Sequence, residues 1–130
     1  EMKEKKDRVE DAIYATKAAL QEGIVAGGGV ALLDASFSIA PENEYEEILL
    51  EAIKAPYATI LDNAALAHYE SKKRGFGIDV VNNKEVDMVK AGIIDPVLVT
   101  KTALKNAVSV VNTIFSADCV ISNVRINASN

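Results

Sequence analysis

Three consecutive glycines, Gly27-Gly28-Gly29, form the stretch of this chain best suited to meet a ligand without side chains in the way. Consecutive amides beside a helix start can bind phosphate, or let a ligand ring lie on bare backbone. The same run equally suits tight helix packing or a turn, because glycine tolerates positive φ. It is not a P-loop, since no Gly-Lys-Ser/Thr follows it. Two carboxylates come next. Asp11, between Val9 and Ala12-Ile13, could activate water or hold a Mg²⁺ coordination shell in phosphoryl transfer. The ordinary alternative is a solvated helix carboxylate balanced by Arg8 or Lys17, and base rates favour it. Asp95, directly before Pro96, reads as a helix N-cap and could also accept hydrogen bonds from ribose hydroxyls. His68 is the single histidine and reads as a surface residue. Without a second histidine or a cysteine nearby, a metal site lacks ligands, and serine or cysteine nucleophiles lack a base. Asn127-Ala128-Ser129 fits a glycosylation acceptor pattern, read as coincidence because no secretory signal is present.

The elements that must position these residues are mostly helical. Val9, Ala12, Ile13, Thr16, Leu20 and Ile24 recur at helical spacing, which predicts a long amphipathic helix over residues 2–23 that Gly23 can end. A second helix is expected from Val30 to Ile39, ahead of Pro41. A third is expected from Glu44 to Lys54, with Ile48, Leu49, Ala52 and Ile53 as its buried stripe. Pro56 either starts a fourth helix or kinks a continuous one, and that helix is expected to run to about Lys72. Ile78, Val80 and Val81 look strand-like, Asn82-Asn83 suits a tight turn, and Glu85–Met88 can return as a second strand. Asp95 as N-cap and Pro96 at the first helical position predict a last helix to Ser116, striped by Val99, Leu104, Ala107, Val108, Val111 and Phe115. Cys119–Ser122 and Val124–Ile126 read as a terminal strand. The fold class is therefore mainly α, with a small β-hairpin and a terminal strand.

Composition narrows the function classes. The 130 residues are 49% hydrophobic and 25% charged, enough for one modest domain with its own core. A net charge of −5 argues against nucleic acid or an anionic membrane surface as partner. One cysteine excludes an internal disulfide and fits a reducing compartment. No apolar run approaches the roughly 20 residues that span a bilayer. The charged opening Glu1–Arg8, without an initiator methionine, reads as a fragment that starts inside a helix.

Several blocks together closely resemble the GroEL-like (group I) chaperonins. The first runs from Glu1-Met2-Lys3-Glu4-Lys5-Lys6 through Arg8-Val9-Glu10-Asp11-Ala12 and Ala15-Thr16-Lys17-Ala18-Ala19 to Glu22-Gly23-Ile24-Val25-Ala26-Gly27-Gly28-Gly29-Val30-Ala31-Leu32-Leu33. Ala55-Pro56, Gly75-Phe76-Gly77-Ile78-Asp79, Asp87-Met88-Val89-Lys90-Ala91-Gly92-Ile93-Ile94-Asp95-Pro96 and Val99-Thr100-Lys101-Thr102-Ala103-Leu104 follow in the same order. The resemblance covers nearly the whole chain. It implies that residues 1–22 are the returning helix of an intermediate domain and that residues 23–130 are the C-terminal half of a helical equatorial ATPase domain. Asp11 then matches the carboxylate that swings over the nucleotide and supports hydrolysis. Gly28, Asp79, Val80, Val81 and Ile93 match nucleotide-contacting positions, the last four beside the adenine, and Asp95 matches the ribose-binding carboxylate.

The resemblance implies ATP and Mg²⁺ as cofactors of the parent subunit. It implies a ring of like subunits in the cytoplasm, and a GroES-like co-chaperonin and unfolded clients bound through other domains. The family's Gly-Asp-Gly-Thr-Thr phosphate loop and magnesium-holding Asp are not among these residues, so this piece alone is expected to bind ATP weakly or not at all, carry no cofactor and hydrolyse nothing. Residues 62–71 lack the family's Gly-x-x-x-Ser-Val-Val stretch, in a vicinity used for ring–ring contact, so the resemblance does not carry a double ring over. The terminal strand pairs between subunits in the family and, cut out of a ring, is expected to drive self-association. The first helix is expected to swing free or pack on another copy. A different reading takes the chain as a stand-alone helical interaction domain with no nucleotide role.

Overall fold

The computed structural model describes residues 1–119 and 121. Its first helix, α1, covers Met2–Glu22 and stops at Gly23, whose φ of 84° disfavours any residue with a Cβ and whose N–H closes on the Ala19 carbonyl at 2.8 Å. A three-residue strand, β1 (Ile24–Ala26), leads through the glycines into α2 (Val30–Ser38). The third helix, α3 (Glu44–Ala52), is capped by Asn43, whose Oδ1 accepts the Tyr45 and Glu46 N–H groups at 3.1 and 3.0 Å. Three glutamates in its first turn complement the helix dipole. Pro56 lies in the first turn of a separate helix, α4 (Ala55–Asn63), so it starts a helix and does not kink one.

That fourth helix ends well short of the expected Lys72. Ala65 takes the left-handed conformation at φ 54°, its N–H bonds the Asp62 carbonyl at 2.9 Å, and Leu66 N–H bonds the Leu61 carbonyl at 3.0 Å. This is a Schellman stop, with Leu66 folded back onto the core. An alanine occupies the position where glycine is usual, so the sequence carries no stop signal there.

β2 (Phe76–Asp79) and β3 (Lys84–Asp87) form the expected hairpin, in antiparallel register from Phe76 opposite Asp87 to Asp79 opposite Lys84, but Val80 and Val81, expected in the strand, lie in the turn with Asn82 and Asn83. A second two-stranded sheet was not foreseen. β4 (Ile94–Pro96) pairs antiparallel with β1, Val25 opposite Asp95, and two further bonds, Gly27 N–H to Ile93 O and Val97 N–H to Gly23 O, extend the ladder. This pairing corrects the expected helix start. Pro96 is held extended at ψ 132° and itself occupies the cap position, Asp95 belongs to the strand, and α5 (Val97–Phe115) begins one residue later than expected.

The core sits where α2, α4 and the hairpin meet. Val30, Leu33, Tyr57, Leu61 and Met88 are buried there, with Ala26 beside them and Ile78, Val86 and Ile93 packed around. The mainly α class holds. The expected stripes of α3 and α5 hold only in part: Ile53, just after α3, is buried and Leu104 is half-buried, but Ile48, Val108 and Val111 are exposed. Periodicity made these helices amphipathic, but the described residues leave much of their apolar faces uncovered. α1 is docked at its C-terminal end, while its residues 1–14 are exposed. Its last turns pack on α5 and β4 with Ala18 buried, and Lys101 reaches Glu22 at 2.6 Å. The expected terminal strand lies outside the described residues apart from Cys119 and Ile121. Among the described residues no helix is long and apolar enough to cross a membrane.

Candidate functional site

The three glycines do three different things. Gly27 donates its N–H to Ile93 O, and a Cβ on it would sit 3.0 Å from the Ile94 backbone. Gly29 turns at φ 81°, where a Cβ would come within 2.7 Å of the Tyr57 backbone nitrogen. These two serve close packing, against β4 and against the start of α4. Gly28, at φ 64°, is the one whose neighbours are side chains and not backbone. A Cβ there would meet only side-chain ends, Met88 Cε at 3.1 Å and Ile93 Cγ2 at 4.0 Å.

The space beside Gly28 is a cavity of about 410 Å³, within the range of about 300–1,000 Å³ usual for small-ligand sites. The hairpin contributes Ile78, Asp79, Val80, Val81 and Asn82. Ile60 from α4, Met88 and Ala91 after β3, and Ile93 ahead of β4 complete the lining. Five of the sequence-predicted residues, Gly28, Asp79, Val80, Val81 and Ile93, thus come together although up to 65 positions separate them (Gly28 to Ile93). Ile60, Met88 and Asn82 were read from sequence only as a helix stripe, a strand end and a turn. Their spacing carries no signal that they share a wall.

Among the described residues the walls are mostly apolar and carry no cation. Asp79 is the one ionisable group among them, and its carboxylate is already engaged. Oδ2 accepts from Asn82 Nδ2 at 2.6 Å, and Oδ1 accepts from the Val81 N–H at 2.9 Å. The Asn82 side chain, and then the Val81 and Asn82 amides, hold the Asp79 carboxyl below its usual range against an opposing desolvation. This side chain therefore shapes the turn that presents Val80 and Val81. Beneath the hairpin lies Tyr57, 3% exposed, its hydroxyl near the Ile78 backbone without a well-formed hydrogen bond. Burial raises the pKa of that hydroxyl, so it stays a neutral phenol.

The other two sequence candidates lie outside the cavity. Asp95 is half-buried in β4. It stands opposite Val25 of β1, two residues after Ile93. Asp11 sits on an exposed stretch of α1, and the structure does not bring it to the lining. His68 is exposed and bonds Asp62 at 2.7 Å, away from the cavity. Among the described residues no three His, Cys, Asp or Glu side chains come together as a metal cluster. A larger groove of about 860 Å³ between α3 and α5, lined by Leu49, Leu104 and Val108, holds none of the sequence-predicted residues. It lies on the open side of α3 and α5.

The model of the TCP-1/cpn60 chaperonin family matches residues 1–125, which include every block quoted above. With the glycine turn, the hairpin and the Ile93 segment assembled around one cavity, this chain belongs to the TCP-1/cpn60 chaperonin family.

Proposed function

We propose that this chain supplies the base-side wall of an ATP site in a group I chaperonin subunit, which assists protein folding within a ring. The observation that carries the reading is the convergence of Gly28, Asp79, Val80, Val81 and Ile93 on one cavity. Its residues fit the adenosine end of a nucleotide. Apolar side chains above and below suit the faces of a purine, and the missing Cβ at Gly28 leaves backbone open to the ligand. The same lining is wrong for the triphosphate end. With one carboxylate and no lysine or arginine, it repels phosphate, which needs cations, amides or Mg²⁺.

Asp95, two residues after Ile93, is assigned to the ribose hydroxyls. Asp11 is assigned to supporting hydrolysis, which requires α1 to move toward the nucleotide. Residues 1–22 would then belong to an intermediate domain and residues 23–130 to an equatorial one, and the Gly23 break at the end of α1 suits a hinge between them. The partners are other subunits of the ring, with a GroES-like co-chaperonin and unfolded clients engaged through regions other than these residues, in the cytoplasm. Mg²⁺ would enter with the phosphates.

Because the phosphate-binding chemistry is not among these 130 residues, the chain by itself binds Mg-ATP no better than weakly and does not hydrolyse it. Isothermal titration with Mg-ATP tests this. Millimolar binding is expected, whereas a micromolar Kd (about −8 kcal/mol) or steady ATPase would refute it. A second reading, a helical interaction domain without a nucleotide role, draws on the uncovered apolar faces of α3 and α5. It predicts that adenosine nucleotides leave the Gly28 cavity untouched at any concentration.

A further inference from the structure

We infer that Asp34, a residue of α2 that does not touch the cavity, is a positioning residue for it, closing a ring of hydrogen bonds around its floor. The inference rests on the nucleotide reading for its purpose but not for its geometry. From Asp34 Oδ2 the ring runs to the Gly75 N–H at 2.7 Å, ahead of β2. The Gly75 carbonyl accepts the Met88 N–H at 3.0 Å, and the Met88 carbonyl accepts the Ile93 N–H at 2.8 Å. The Ile93 carbonyl then accepts the Gly27 N–H at 2.9 Å, and the Gly27 carbonyl accepts the Val30 N–H at 3.2 Å, back at the start of the helix that carries Asp34.

Every link but one is backbone to backbone and survives any side-chain change. Asp34 is the one link that side-chain truncation removes. It is also the link that fastens the hairpin to α2, and the hairpin brings five residues to the cavity. A carboxylate accepting a part-buried amide N–H is a charge-assisted bond, stronger than a neutral one. Met88 and Ile93, which meet Gly28 from the other side, lie in the same ring. Opening it at Asp34 frees the Gly75 end of the hairpin, so the cavity loses its fixed width before any lining residue changes.

Amide hydrogen exchange on the 130-residue chain, without nucleotide, reads this directly. In Asp34→Ala, exchange at Gly75 and through Phe76–Asp79 and Lys84–Met88 is expected to quicken about ten- to a hundredfold, while α1 and α5 are unchanged. Asp34→Asn keeps an acceptor oxygen and is expected to restore most of the protection. Unchanged exchange at Gly75 in Asp34→Ala, a uniform rise over the whole chain, or an Asn variant as disrupted as the Ala variant would overturn the inference. A second arm titrates ADP against both variants by amide chemical shift. Weaker shifts at Gly28 and Ile93 in Asp34→Ala, rescued in Asp34→Asn, complete the case. A hairpin response without any ADP shift in the unsubstituted chain upholds the bracing role of Asp34 and refutes the nucleotide reading instead.

Discussion

Gly77 is the position where the hairpin presses hardest on the core, and its replacement by alanine gives a sharp test of the packing. A Cβ on Gly77 would lie 2.5 Å from Val30 Cγ2, 3.3 Å from Met88 Sδ and 3.5 Å from Tyr57 Cε2. Val30 is fully buried at 0% exposure and is β-branched, so it cannot turn aside into another rotamer cheaply. Overpacking of this kind costs about 1–3 kcal/mol, against a gain of about 0.4–1 kcal/mol from the stiffer unfolded chain, which at the middle of both ranges leaves a net loss of about 1.3 kcal/mol. Urea denaturation reads it as a lower midpoint at constant slope. The clash has one named partner, so Gly77→Ala and Val30→Ala must couple. Val30→Ala removes the methyl that the new Cβ meets, and the double variant is expected to be about 1 kcal/mol or more better than the sum of the singles. An unchanged midpoint for Gly77→Ala, or strict additivity in the cycle, would refute this account of how the hairpin seats.

Two further outcomes follow from local structure. Ala65→Gly relieves a left-handed alanine at the end of α4 and should stabilise the chain by about 0.5–1 kcal/mol, seen as a higher urea midpoint. Asp79 and Asp87 both have carboxyls held below their ordinary value of 3.8, Asp79 mainly by the Asn82 side chain and Asp87 mainly by the Lys90 N–H. Their folded pKa is lower than the unfolded one, so their stabilisation is complete above the unfolded value and is lost as pH falls through the folded value. Acid titration of stability below about pH 4 should therefore be shallower in Asp79→Asn and Asp87→Asn than in the parent, and identical slopes would contradict it.

The legible part of the fold was local. Helical spacing and Gly23 placed α1, Asn82-Asn83 placed the hairpin, and a resemblance carried by short blocks picked five residues that the structure gathers at one cavity. The illegible part was long-range or depended on an atypical residue. β1 and β4 are three residues each and pair across about 70 positions, too short to show a period of their own. That pairing turned Asp95 from a helix cap into a strand residue. Ala65 stops α4 with glycine's geometry but without glycine's signature. Asp34 carries no signal in the sequence, since the Gly75 N–H that it accepts lies 41 positions on. The stripes of α3 and α5 show the reverse error. An apolar period says that a face will be covered, not that this stretch of chain covers it.

The claim that Gly28, the hairpin and Ile93 form the base-side wall of a nucleotide site is tested most directly by mapping amide shifts as ADP is raised to millimolar levels over the 130-residue chain. The account predicts saturable, weak shifts confined to Gly28, Ile78–Asn82 and Ile93, reproduced by adenosine and not by inorganic phosphate. Shifts that follow phosphate, that fall in the groove between α3 and α5, or that do not occur at all would contradict it.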